Sequence, residues 1–119
     1  MGVIVLIETY DQAAKVILER LEKDFLRQSR TIYQMLIVRD RFDEAYNFFL
    51  EVKPKNHREK SIPLHTLENY DLGYLESVVH SLRKQTQITM QFKGFGELVW
   101  PQAQTIISNG RDYDYQTGR

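Results

Sequence analysis

Two different hydrophobic periods occur in separate segments of this chain, and together they constrain its fold. In one segment the apolar residues recur every three or four positions, which is the spacing of one face of an α-helix; they are Ala14, Ile17, Leu18, Leu21 and Phe25. In another segment Ile88, Met90 and Phe92 alternate with polar residues, which is the pattern of a strand with one buried face. The chain is therefore expected to combine helices with a sheet.

Three further assignments follow from local signals. The apolar run Val3–Ile7 predicts a strand that is buried on both faces. The first helical stripe predicts a helix over about Gln12–Arg27, for which Thr9 stands at the position that begins a capping box and Asp11 is an alternative cap. A second helical stripe predicts a helix over Asp71–Lys84 with Asp71 as its N-terminal cap.

The segment from residue 31 to 51 admits two interpretations. The residue types over Arg30–Val38 favour a strand, and Asp40 is well placed to cap a helix after it. The alternative is one long helix over Thr31–Glu51, because its apolar residues lie close to a heptad stripe. We favour the strand followed by a helix. The next segment, Val52–Pro63, contains two prolines and many charged side chains, which predicts a loop.

The C-terminal part predicts a hairpin followed by a short helix. Lys93–Gly96 predicts a turn, after which Glu97–Trp100 is expected to return as a second strand. Pro101 suits the first position of a helix that ends at Asn109 and Gly110.

The length of the chain indicates a single domain. It has 119 residues, of which 42% are hydrophobic and 27% are charged, a balance typical of a globular protein. We expect an α+β domain over residues 1–110, with a small mixed sheet packed against two to four helices, and a flexible tail over residues 111–119. If residues 31–51 form one helix, the protein is instead mostly α with a C-terminal β-hairpin.

Composition excludes several classes of function. The absence of cysteine excludes disulfides, zinc–thiolate sites and a thiol nucleophile. The formal net charge is zero, from 16 basic and 16 acidic residues, which is atypical of a nucleic-acid coat or a polybasic membrane anchor. No phosphate-binding or dinucleotide-binding fingerprint occurs, so we expect no cofactor. The longest apolar run is too short to span a bilayer, and we expect a cytoplasmic protein without a membrane partner.

No catalytic constellation is visible in the sequence, and we expect that the protein is not an enzyme. The spacing of His57, His65 and His80 matches no metal-binding motif. The acidic residues are scattered, so no carboxylate pair is placed for acid–base work. An enzyme whose site joins His65 or His80 to a carboxylate is the weakest of three hypotheses.

Aromatic residues are concentrated near the C-terminus and support the first hypothesis, a small interaction or regulatory protein. Phe95, Trp100, Tyr113 and Tyr115 are candidates for an interface with a protein partner or with a second copy in a homodimer. In the alternative interpretation Trp100 belongs to the core and Phe95 folds back over it.

A basic segment supports the second hypothesis, a nucleic-acid-associated accessory protein. Lys53, Lys55, Arg58 and Lys60 lie within eight residues and are opposed only by Glu59. Such a loop can contact phosphates while tyrosine or phenylalanine rings stack on exposed bases. The alternative is a solvated connection without a ligand.

Overall fold

Two helices and a four-stranded mixed sheet make up the regular structure of the described residues. The computed structural model describes residues 7–25 and 30–107. In chain order the elements are α1 (Tyr10–Asp24), β1 (Thr31–Asp40), β2 (Ala45–Pro54), β3 (Lys60–Leu67), α2 (Leu72–Gln85) and β4 (Thr89–Lys93). This confirms the predicted α+β class. Of the predicted strand Val3–Ile7, only Ile7 lies within the described residues, where it is exposed and precedes α1.

The strand order is β3-β2-β1-β4. The first three strands form an antiparallel meander, in which Met35 of β1 lies opposite Leu50 of β2. The chain then passes through α2 and adds β4 beside β1 in the parallel direction, with Met90 opposite Met35. The two central strands are therefore β1 and β2.

The predicted caps of both helices are confirmed, although α1 begins at Tyr10 rather than at the predicted Gln12. The Thr9 hydroxyl accepts a hydrogen bond from the Gln12 N–H, and the Gln12 side chain accepts one from the Thr9 N–H, which completes a capping box. The Asp71 carboxylate accepts from the Tyr74 N–H at 2.9 Å and caps α2. At its other end α1 stops at Asp24, before the predicted Arg27.

The core lies between the helices and one face of the sheet. Helix α1 contacts α2 and β3, and the buried residues of both helices form one cluster with buried residues of all four strands. Fully buried members are Ile17, Leu75, Val78, Leu82, Met35, Ile37, Phe48, Leu50 and Leu64. In this layer the apolar side chains on one face of the strands pack against the apolar stripes of the helices.

Residues 40–67 differ from both sequence interpretations. A tight turn over residues 41–44 joins β1 to β2, so the predicted helix after Asp40 and the single helix over Thr31–Glu51 are both wrong. The predicted loop Val52–Pro63 is also largely wrong, because only residues 55–59 separate β2 from β3. The physical reason is the strand pairing, since β2 pairs along its length with β1 and also with β3.

The C-terminal segment also differs from the prediction. Val99 forms an isolated antiparallel bridge with Ile106 rather than pairing with β4. Residues 101–103 form a turn, and up to residue 107 the predicted helix is absent. Ile107 is buried in the core and its N–H donates to the Leu98 carbonyl at 2.8 Å, which closes this segment as a loop.

Candidate functional site

The sheet presents its second face away from both helices. Side chains alternate between the two faces of a strand, and those opposite the core define what we call the open face. Its members include Ile32, Gln34, Leu36, Val38, Asn47, Phe49, Glu51, Lys53, Gln91 and Lys93. None of its apolar side chains belongs to the core cluster or packs against it. Among the described residues, the helices therefore leave this face uncovered.

The central strand β1 is apolar on both of its faces. Met35 and Ile37 are fully buried in the core, whereas Leu36 and Val38 lie on the open face. Leu36 is opposite Phe49 in the β1–β2 register, so these two side chains form the middle of the face. A strand with apolar residues on both faces is typical of a sheet that is covered on both sides.

The polar side chains of the open face are hydrogen-bonded to one another. The Gln34 side-chain N–H donates to the Glu51 carboxylate at 2.6 Å. The Thr66 hydroxyl donates to the side-chain oxygen of Asn47 at 2.7 Å. These bonds satisfy part of the hydrogen-bonding capacity of the polar groups around the apolar centre, which lowers the cost of placing them in an interface.

Phe95 and Trp100, predicted as interface residues, are buried. Only 3% of Phe95 and 7% of Trp100 is exposed, and both rings pack edge-on against Phe92. Gly94 adopts φ +88° and Gly96 adopts φ +55°, so the chain turns Phe95 back into the core. This corrects the expected placement of the two rings at the surface. Tyr113 and Tyr115 lie outside the described residues.

A tyrosine cluster borders these buried rings. The Tyr46 ring stacks on Tyr70 and on Phe95, and its hydroxyl donates to the Tyr70 carbonyl at 3.0 Å. Burial, followed by the nearby Tyr70, raises the pKa of Tyr46 to about 12. The Arg39 guanidinium lies over the Tyr70 ring, 5.3 Å from its centre. Tyr46 is therefore held as a neutral hydrogen-bond donor, which is a structural role.

The structure brings the predicted basic residues to one end of the sheet. Lys53, Lys55, Arg58 and Lys60 lie at or beside the turn between β2 and β3. The Lys55 N–H donates to the Arg30 carbonyl at 2.8 Å, which adds a fifth cation. We call these five residues the basic end. Arg30 was missed by sequence reasoning because it is distant along the chain.

The histidines are placed in two different surroundings. The His65 Nε2 lies 3.0 and 3.1 Å from the two carboxylate oxygens of Glu8, whose carbonyl accepts from the Tyr74 hydroxyl. Burial, together with the charge of Glu8, raises the pKa of Tyr74. These contacts tie the segment before α1 to β3 and α2.

His80 lines an open groove between the start of α1 and the face of α2. The nearby Glu76 carboxylate accepts the N–H groups of Gln102 and Ala103, both at 2.9 Å, and so fastens the 101–103 turn to α2. Because this carboxylate already accepts two backbone bonds, its evident role is structural. Among the described residues His65 is hydrogen-bonded only to Glu8 and His80 has no side-chain hydrogen bond, although Ser77 and Ser81 line the same groove as His80.

Two further observations complete the description of the site. Within residues 7–25 and 30–107, no three His, Asp or Glu side chains lie close enough to hold a metal ion. Neither helix in that part of the chain has the length and apolar character needed to cross a membrane.

Comparison of the chain with protein-family models, curated proteins and solved structures gives no match. Within the part of the chain that the structure describes, the open face and the basic end are two candidate sites for an interaction.

Proposed function

We propose that this protein is a small non-enzymatic interaction protein that self-associates through the open face of its sheet. One observation supports this: β1 is apolar on both faces, while the two helices cover only one of them. A half-exposed apolar strip, here Leu36, Val38 and Phe49, that is bordered by hydrogen-bonded polar groups has the composition of a protein interface. In this proposal a second copy of the chain covers the open face.

The strand order makes the open face complementary to itself. The midpoint of the order β3-β2-β1-β4 falls between β2 and β1, and Leu36 and Phe49 face each other across it. A two-fold axis through this midpoint, parallel to the strands, sets β1 of one copy against β2 of the other. Phe49 of each copy then covers Leu36 of the other, which is the reciprocal contact that a two-fold dimer requires.

The area of the open face agrees with a second copy as the occupant. A face of four strands, spaced about 4.8 Å apart and up to about eight residues long, projects roughly 500 Å². The accessible area of a ridged face exceeds its projection and approaches the ~800 Å² that each partner contributes to a standard interface.

Light scattering coupled to size-exclusion chromatography tests this function. We expect a mass near twice 14.1 kDa, unchanged between about 50 and 500 mM salt, because the contact is mainly apolar. The double variant Leu36→Thr/Phe49→Thr is expected to be monomeric, since threonine keeps the strand propensity but removes most of the apolar area.

The matched control is Phe42→Thr. Phe42 is fully exposed at the turn between β1 and β2, away from the open face, so its loss should leave the dimer intact. Circular dichroism verifies that all variants are folded. A monomeric wild-type protein, or a double variant that still dimerises, would contradict the proposed function.

A further inference from the structure

The basic end is organised by backbone hydrogen bonds. Strand β2 ends at Pro54 and β3 begins at Lys60, and the His57 N–H donates to the Pro54 carbonyl within the connecting turn. The bond from the Lys55 N–H to the Arg30 carbonyl joins this turn to the segment that enters β1. The cations from two distant parts of the sequence are therefore held side by side.

The positive charge of this end is largely uncompensated. Arg30, Lys55, Arg58 and Lys60 are exposed, and no described residue forms an ion pair with them. Lys53 lies 3.7 Å from the Glu59 carboxylate, but 67% of that glutamate side chain is exposed, so the pair is weak. The end holds five of the 16 basic residues and one of the 16 acidic residues, which leaves the rest of the chain net acidic.

The cations lie on both sides of the sheet. Lys53 is on the open face, whereas Lys60 pairs with Val52, whose side chain packs against the core on the helix side. A narrow end that is charged on both sides can contact the two phosphate backbones that border a groove.

The chemistry of the end favours phosphate over other anionic ligands. Residues 53–61 contain no Phe, Tyr or Trp and no Val, Leu, Ile or Met, and Ile32, opposite Lys53, adds only a single exposed aliphatic side chain, which is far less apolar area than a lipid-inserting helix presents. The Tyr33 ring, which lies opposite Val52 on β1, packs on Phe25 with the ring centres 4.3 Å apart, so the contact with Phe25 occupies one of its faces. We propose that the basic end binds the phosphate backbone of a nucleic-acid duplex without reading its sequence.

Fluorescence anisotropy with the full chain and a labelled DNA duplex of about 20 base pairs tests this site. With four to five phosphate contacts, the logarithm of the binding constant should fall against that of the salt concentration with a slope of about −4. The affinity is then expected to drop about 250-fold between about 50 and 200 mM salt. Neutralising Lys53, Lys55, Arg58 and Lys60 to glutamine should reduce the slope to about −1 and the affinity by more than about tenfold at 50 mM.

A second quadruple variant controls for net charge. Lys15→Gln/Lys23→Gln/Arg41→Gln/Lys84→Gln removes the same charge from exposed positions elsewhere and should keep most of the affinity. The site is overturned if the wild-type protein does not bind at about 50 mM salt, or if the two variants lose affinity equally. Tighter binding to a single strand of the same sequence would overturn the duplex assignment. Because one copy already holds the whole basic end, the difference between the two quadruple variants is expected with or without dimerisation, so failure of the proposed function can be distinguished from failure of this site.

Discussion

Tyr46 illustrates how one polar group is accommodated in this core. Only 1% of the residue is exposed, and its ring is stacked between Tyr70 and Phe95. Its hydroxyl donates to the Tyr70 carbonyl, so the buried donor is satisfied as long as it keeps its proton. Loss of that proton would place an unpaired negative charge among aromatic rings, which is why burial raises the pKa of this phenol.

The raised pKa of Tyr46 makes stability depend on alkaline pH. The pKa rises from 10.0 to about 12, so the folded state retains a proton that the unfolded chain releases in this range. The contribution to the free energy of unfolding is complete below pH 10 and falls as the pH rises toward 12, by up to about 2–3 kcal/mol. Urea titrations between pH 8 and about 11.5 measure this decline.

Two phenylalanine variants isolate the effect. Tyr46→Phe should lower the free energy of unfolding by about 1 kcal/mol at neutral pH, because the Tyr70 carbonyl loses its donor. It should also reduce the fall of this free energy at alkaline pH. Tyr10→Phe alters an exposed ring and should leave the decline as it is. An unchanged decline in Tyr46→Phe would contradict the assignment.

At the scale of elements, Asp40 shows why the β1–β2 hairpin escapes sequence reasoning. Its carboxylate accepts from the N–H groups of Phe42 at 3.0 Å and Asp43 at 3.1 Å. An aspartate that caps a helix also accepts hydrogen bonds from the backbone N–H groups two and three residues after it. The residues around Asp40 therefore fit a turn and a helix start equally well. Glu44, at φ +50°, and the pairing of β2 with β1 decide in favour of the turn.

Signals confined to a few residues were sufficient for α1, α2 and β4, whereas β3 was missed. The capping residues Thr9 and Asp71 begin their helices as predicted, and β4 keeps its predicted alternation. The basic end was predictable for the same reason, since four of its five members lie within eight residues. The open face could not be predicted in this way. Which side of β1 is left uncovered depends on where the two helices pack, and the helices are distant from β1 in sequence. Phe95 was misplaced because two positive-φ glycines reverse the direction of its side chain.

The turn at Asp40 gives a prediction at this scale. Asp40→Ala leaves two backbone N–H groups without their acceptor and should lower the free energy of unfolding by about 1 kcal/mol. Asp43→Ala removes an exposed carboxylate that accepts no hydrogen bond in the described structure, and should change stability by less than about 0.5 kcal/mol. Thermal unfolding of the two variants measures the difference, and equal losses would contradict a capping role for Asp40.

At the scale of the whole molecule, the two proposed sites are geometrically related. A two-fold axis that runs parallel to the strands keeps both copies pointing the same way. The basic ends of both copies then lie at the same end of the dimer, next to each other. The dimer would present two duplex-binding sites in a fixed arrangement, which increases affinity by avidity rather than by new contacts.

This arrangement predicts an effect of duplex length. The monomeric variant Leu36→Thr/Phe49→Thr should bind a duplex of about 30 base pairs at least tenfold more weakly than the wild-type dimer does. On a duplex of about 8 base pairs, which is too short for two sites, the two proteins should bind alike within about threefold. Anisotropy titrations on both lengths measure this, and an equal loss on both would contradict the paired arrangement.

The parallel pairing of β1 with β4 has a consequence for the time course of folding. The meander of β1, β2 and β3 uses neighbouring segments, whereas Gln34 pairs with Thr89, about 55 residues further along the chain. Pairs this distant in sequence form slowly, because a long loop has to close before any contact compensates for the lost entropy. Until β4 has been synthesised and docked, β1 retains an unpaired edge and apolar side chains on both faces. The newly made chain is therefore most exposed to mispairing and aggregation during the interval between the synthesis of its first and last strands.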